Sequence, residues 1–191
     1  MKNQDSGTEG NALAAFDFDG TITTRDSMSL FLKYVCGDLK FYWGIVRNTF
    51  RLAAYLAGMV GRESAKASLL YHYLGGMEEK ILNETGRKFC EDVIPKLIRP
   101  AAMERINWHR QQGHELVIVS ASFSTWLIPW AEENGLGLIC SEFEIRDGKI
   151  APGLKGGNCR GAEKVRRIQS RYAGQRFSKT YAYGDSAGDK E

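Results

Sequence analysis

Two short apolar runs, one near each end of the chain, both break into aspartate and glycine. The first is Ala14-Ala15-Phe16-Asp17-Phe18-Asp19-Gly20-Thr21-Ile22-Thr23; the second is Thr180-Tyr181-Ala182-Tyr183-Gly184-Asp185-Ser186-Ala187-Gly188-Asp189. Runs of this length and composition read as buried strands, and glycine marks where each one turns. A strand that carries carboxylates at its end suits an open α/β sheet, whose strand ends form the ligand-binding edge. Carboxylates gathered on one edge repel each other unless a hard cation joins them, and Mg²⁺ is the usual one. The two ends of the chain are therefore expected to meet in space.

Between these runs the hydrophobic period changes twice. Leu13 to Phe18 reads as a strand. From about Asp26 to Arg99 the apolar residues instead fall at helical spacing. The segments are Ser27–Val35, Leu39–Ala57, Glu63–Leu74 and Glu78–Leu97, separated by glycines at 37, 58, 61, 75 and 76. Beyond Pro100 helices and strands alternate: helix Ala101–Gln112, strand Glu115–Val119 ending at Ser120, helix Ser124–Asn134 and strand Leu136–Cys140. Glu142–Ile150 carries an Asp147-Gly148 hairpin signal. A helix over Gly161–Tyr172 and a strand over Thr180–Tyr183 complete the pattern. This predicts an α/β fold with a Rossmann-like parallel sheet, right-handed crossovers and an inserted α-helical domain. Residues 1–11 read as a polar tail, 12–24 and 100–191 as the sheet domain, and 25–99 as the helical insertion.

Composition excludes several classes. With 191 residues, 43% hydrophobic and 26% charged, the chain can bury a core of its own. A net charge of +3 without a run of basic residues gives no reason to expect nucleic acid. The polar start lacks the apolar stretch of a signal peptide, so cytoplasm is the default. Cys36, Cys90, Cys140 and Cys159 are too scattered for a zinc site or a disulfide framework, and His72, His109 and His114 lie beside no motif. The histidines are expected on the surface or lining helices.

Asp17 and Asp19 stand two apart before a tight turn, which can aim both at one point. A phosphate ester needs an in-line nucleophile and a proton donor for its leaving oxygen. Asp17 can attack phosphorus and form an aspartyl-phosphate, while Asp19 protonates the departing alcohol and later deprotonates water. Crowding of carboxylates raises one pKa, which helps one of them keep its proton.

The motif Phe16-Asp17-Phe18-Asp19-Gly20-Thr21-Ile22-Thr23, with a helical insertion directly after it, resembles the haloacid dehalogenase superfamily of hydrolases, in its phosphoserine-phosphatase-like branch. The resemblance implies a phosphatase with Asp17 as nucleophile and Asp19 as acid/base. Val117-Ile118-Val119-Ser120-Ala121-Ser122 matches the second motif, in which Ser120, with Ser122 as the alternative, and the backbone at Ala121 bind phosphoryl oxygens. Gly161-Ala162-Glu163-Lys164-Val165 fits the third, with Lys164 neutralising nucleophile and phosphate and Lys155 as the alternative. Gly184-Asp185-Ser186-Ala187-Gly188-Asp189 resembles the fourth. There Asp185 ligates Mg²⁺ with Asp17 and the backbone carbonyl of Asp19, and Asp189 is a second acidic partner. The family normally continues with a further helix and strand, so Asp185 and Asp189 are expected near a frayed end at Glu191.

The substrate implied is a phosphorylated small molecule, and selectivity belongs to the insertion. Phe31, Tyr34, Phe41, Trp43, Phe50 and Tyr55 suit a bulky or lipid-like ester, or else fill the bundle core. Asp26 reads as a helix N-cap, with an acidic substrate contact as the alternative, and Arg47, Arg51 and Arg62 are candidate clamps or a solvated cap surface. Phe41–Val60 has the length of a membrane span, but Arg47, Asn48 and Arg51 in its middle make crossing costly. An amphipathic helix without membrane association is expected, with a surface-lying helix as the minority reading. A phosphotransferase, or a phosphate-binding protein with little turnover, are the alternative functions. Nothing in the sequence sets an oligomeric state.

Overall fold

The computed structural model describes residues 12–47 and 61–185, with the side chain of Arg62 excepted. The polar tail, the second half of the Leu39–Ala57 helix (with Arg51, Phe50 and Tyr55) and Asp189 lie outside the described residues. In chain order the elements are β1 (Ala12–Phe16), α1 (Ser27–Cys36), α2 (Asp38–Arg47), α3 (Arg62–Leu74) and α4 (Glu79–Asp92), then α5 (Pro100–Gln111), β2 (Glu115–Phe123) and α6 (Ser124–Glu133). β3 (Gly137–Arg146), β4 (Lys149–Lys155), α7 (Ala162–Arg171) and β5 (Lys179–Tyr183) complete the fold.

The sheet runs β4-β3-β2-β1-β5. β3, β2, β1 and β5 are parallel, and β4 returns antiparallel to β3. All five residues of β1 are buried, because helices cover both faces of the sheet. Side chains alternate along a strand. Ala14 and Phe16 accordingly enter the larger core, and Leu13 and Ala15 enter the smaller one with Val117, Val119, Ile139 and Tyr172. The apolar run at the start of the sequence is the signature of this two-sided burial.

The helical insertion sits directly on the larger core. Phe31 of α1 packs against Trp126 of α6 and Phe89 of α4, with ring centroids 4.5 and 5.3 Å apart. Gly86 of α4 lies so close to Thr125 that an added Cβ would strike the Thr125 carbonyl and methyl. Two chain crossings join insertion and sheet side by side. Thr24 N donates to the Leu97 carbonyl at 2.8 Å, and Arg99 N donates to the Ile22 carbonyl at 2.8 Å.

Some boundaries differ from the sequence expectation. The Glu78–Leu97 helix ends at Asp92 and passes into a 3₁₀ turn over Ile94–Leu97, since Pro95 supplies no N–H to continue it. β2 runs on through Ser120 to Phe123, with a register shift between Val119 and Phe123 that lets Phe123 pair with Ser141. The strand at Leu136–Cys140 and the first arm of the hairpin are one element, β3, parallel to β2 at its start and antiparallel to β4 at its end. Asp147 (φ 51°) and Gly148 (φ 70°) make the hairpin turn, both in the left-handed region that a two-residue loop demands. His109 is fully buried, sandwiched by Phe16, Tyr183 and His114. Its Nε2 is 2.9 Å from Tyr183 Oη and its Nδ1 2.6 Å from His114 Nδ1. Burial first, then the neighbouring His114 and Arg105, pushes its pKa down to about 4.

Candidate active site

Strand register gathers the motifs. Phe16 pairs with Ile118 on one side and Tyr183 on the other. Asp17 is therefore one residue past the last pair, and Ser120 and Asp185 two residues past, all at the same edge. β1 is flanked by β2 and β5, so the connection out of β1 runs to one side while the one into β5 comes in on the other, which opens the crevice where α/β sheets bind ligands. Asp17 N donates to the Tyr183 carbonyl at 2.8 Å and fixes the start of the turn.

Lys164 Nζ lies 2.9 Å from Asp17 Oδ1, with both side chains nearly enclosed at 11% and 12% exposure. Lys164 comes from the first turn of α7, whose approach is set by Arg167. That guanidinium donates to the carbonyls of Cys140, Gly156 and Gly157 at 2.7 to 2.9 Å and so pins the glycine-rich loop to β3. Lys155, the alternative lysine, points away and pairs at the surface with Glu142 at 2.9 Å.

Asp19 faces the helical insertion. Its Oδ1 accepts from Ser27 N at 2.7 Å and its Oδ2 accepts from the Ser122 hydroxyl. Ser27 Oγ lies 3.1 Å from Ser122 Oγ and accepts from Trp126 Nε1 at 3.0 Å. Burial raises the Asp19 pKa to about 6, against the pull of the Ser122 and Ser27 hydrogen bonds, and Asp26 adds repulsion. Asp26 itself caps α1 by accepting from Ser29 N at 2.7 Å. Ser120, buried within β2, accepts from Ser122 N at 3.0 Å through its hydroxyl oxygen, which leaves that hydroxyl's proton to donate. The two serines thus serve different partners.

The carboxylate of Asp185 rests on Gly20, where any Cβ would overlap it. Glycine at that position, at φ 82°, both makes the turn and lets the segment carrying Asp185 close on the first motif. Beside it Thr21 Oγ1 is buried with no hydrogen-bond partner among the described residues. Among the described residues no three His, Cys, Asp or Glu side chains converge as a metal cluster. Mg²⁺ keeps several waters and needs few protein ligands, so two carboxylates and a main-chain carbonyl would suffice for it.

A further cation enters from the insertion. Lys66 of α3 donates to the Ala121 carbonyl at 2.6 Å and to Asn158 Oδ1 at 2.9 Å, and lies over the Phe123 ring. Burial draws its pKa down to about 8, opposed by Asp26 and Asp19. Asn158 N in turn donates to Glu63 at 3.1 Å. Sequence reasoning passed over Lys66, since one lysine in a polar helix carries no mark. The only hint is its flanking by small Ala65, Ala67 and Ser68. Of the proposed clamps, Arg47 is exposed on α2, and Arg51 and the side chain of Arg62 lie outside the described residues.

Comparison with known proteins places the chain in a family. A family model described as haloacid dehalogenase-like hydrolase matches residues 14–191. Protein CicA of Caulobacter vibrioides is 37% identical over 185 residues, covering 94% of this chain and 80% of CicA. A structure of a protein with unknown function from Bordetella pertussis Tohama I aligns at a TM-score of 0.79 and 25% identity, over 94% of this chain and 84% of that one. A phosphoserine phosphohydrolase-like protein from Francisella tularensis subsp. tularensis SCHU S4 aligns at 0.64 and 18% identity, over 94% and 80%, a likeness of fold. Among the described residues no helix is long and apolar enough to cross a membrane. The chain belongs to the haloacid dehalogenase-like hydrolases.

Proposed function

We propose that this hydrolase is a Mg²⁺-dependent phosphatase that cleaves phosphomonoesters through an aspartyl-phosphate on Asp17. The observation that carries the reading is the enclosed Lys164–Asp17 pair at 2.9 Å, on the edge where Asp185 closes over Gly20. The ammonium pairs with Asp17 and orients it for attack, and it meets the phosphoryl charge as that charge develops. Asp17 Oδ forms a bond to phosphorus while the ester P–O bond breaks, and Asp19 gives its proton to the departing alcohol oxygen. A water then attacks the aspartyl-phosphate. Asp19 takes the water's proton, the Asp17–phosphorus bond breaks, and inorganic phosphate leaves. A carboxyl that keeps its proton up to about pH 6 suits the first of these tasks.

Ser120 and the backbone at Ala121 contribute hydrogen bonds to the phosphoryl oxygens. Asp17, Asp185 and the Asp19 carbonyl would hold Mg²⁺, which neutralises phosphoryl charge when bound, with Asp189 as an outer acidic partner. The described part of residues 25–99 forms a cap beside this cleft, joined to the sheet domain where Thr24 N donates to the Leu97 carbonyl. Lys66 gives the cap side a second positive charge, which favours a phosphorylated small molecule whose alcohol carries an anionic group of its own.

Hydrolysis of p-nitrophenyl phosphate with and without Mg²⁺ tests the proposal. Asp17→Asn is expected to lose at least about a thousandfold in kcat with its melting temperature little changed. Undiminished turnover in that variant, or in chelator, overturns it.

A further inference from the structure

Helix α2 has two apolar faces, and one of them is turned outward. Inward, Phe41 is 7% exposed and Gly44 is buried under Tyr73, whose hydroxyl donates to the Phe41 carbonyl at 2.5 Å. Outward, Leu39 is 87% exposed, Tyr42 55%, Trp43 64% and Val46 60%. At helical rotation these four fall within an arc of about 100° and form one continuous stripe. Other exposed large apolar side chains, such as Ile81 and Ile128, sit on separate helices. Isolated residues of that kind are ordinary on a protein surface, but a stripe is not.

Cations border the stripe on both sides. Lys40 and Arg47, both exposed, lie along one border of the arc. On the other, Lys33 of α1 donates to Tyr42 Oη at 2.8 Å and lies 4.6 Å from its ring centroid, with Asp38 3.4 Å from the same ammonium. Asp38 is the acid of this helix, against Lys40 and Arg47. Tyr and Trp beside leucine and valine, with basic residues at the margin, is the composition of helices that lie in a lipid headgroup layer. Four side chains on ten residues fall well short of the roughly 800 Å² per partner that a stable dimer buries.

We infer that α2 docks this protein on an anionic phospholipid surface, with Leu39, Tyr42, Trp43 and Val46 in the headgroup boundary and Lys33, Lys40 and Arg47 against the phosphates. This departs from the expectation of a helix without membrane contact. The reason is that Trp43, assigned from sequence to a bulky-substrate site or the bundle core, stands outside the bundle. The inference does not depend on the phosphatase reading.

The test is flotation of the full chain with vesicles of phosphatidylcholine alone and of equal parts phosphatidylcholine and phosphatidylglycerol, at low and high salt. Binding is expected to the anionic vesicles, weakened by salt and by K40E/R47E, and reduced about tenfold or more in L39S/W43S. Melting temperature and turnover of soluble p-nitrophenyl phosphate should be unchanged in L39S/W43S, which separates lost docking from lost folding or chemistry. Three results overturn the inference: wild-type protein that stays with the buffer, L39S/W43S that floats as well as wild type, or a concentration-dependent dimer abolished by L39S/W43S without lipid binding.

Discussion

The two sides of the cleft are built by different means. On the sheet side, backbone pairing places the groups at the strand ends. Once Phe16 is in register with Ile118 and Tyr183, Asp17, Ser120 and Asp185 arrive at one edge regardless of their side-chain contacts. On the helical side, side-chain packing does the placing. Lys66 reaches Ala121 only because α3 and α4 rest on the sheet domain, through contacts such as Gly86 against Thr125. A group held by the ladder is positioned by many cooperative hydrogen bonds. A group held by packing moves whenever the packing opens. In the proposed mechanism, chemistry sits on the first side and selectivity on the second.

The sharpest way to break this comparison is on the sheet side. Lys164→Met should strand the enclosed Asp17 carboxylate and lower kcat/KM by roughly a hundredfold or more, a loss typical of removing an electrostatic group aimed at the transition state. Steady-state kinetics on p-nitrophenyl phosphate would read it. A variant within threefold of wild type would show that the pair is structural.

On the helical side the effect should be smaller and of another kind. Lys66→Met is expected to raise KM about tenfold for phosphomonoesters whose alcohol is anionic, with kcat for p-nitrophenyl phosphate nearly kept. The same lysine gives a pH signature. With its pKa near 8 in the fold, it is charged below that pH, so KM for anionic-headed esters should climb as pH passes 8. Stability should move the other way. Between about 8 and the ordinary lysine value the unfolded chain binds more protons, so the contribution of this group to stability rises with pH and is lost as pH falls through 8. Equal KM profiles for wild type and Lys66→Met would remove Lys66 from the site.

The mildest test touches the seam between the two sides. Gly86→Ala places a methyl against the Thr125 carbonyl and should cost about 1–3 kcal/mol, seen as a lower melting temperature. If the seam is what holds Lys66 over the cleft, KM should rise more than kcat falls in this variant too.

Much of the architecture was legible from the residues. Short apolar runs marked the strands, helical spacing marked the helices, and Asp147-Gly148 marked its turn, because those signals are local. The misses came where a long-range partner decides. β2 continues past Ser120 because Ser141 offers a ladder partner to Phe123. His109 is buried because Phe16 and Tyr183 close around it from two strands. Ser27, read as the residue after an N-cap, donates its N–H to Asp19. The choice between Lys164 and Lys155 also lay beyond the sequence, since both stand shortly after glycines. Only the placement of α7 against β3 brings one of them to Asp17.

The sequence by itself determined which carboxylates reach the strand ends, since apolar runs bury themselves and glycine turns aim the residues beside them. Tertiary structure alone decided which cations meet those carboxylates and which face of α2 looks outward. A lysine's charge or a tryptophan's ring is the same in any helix, and only the neighbours it packs against make it part of a site or part of a surface.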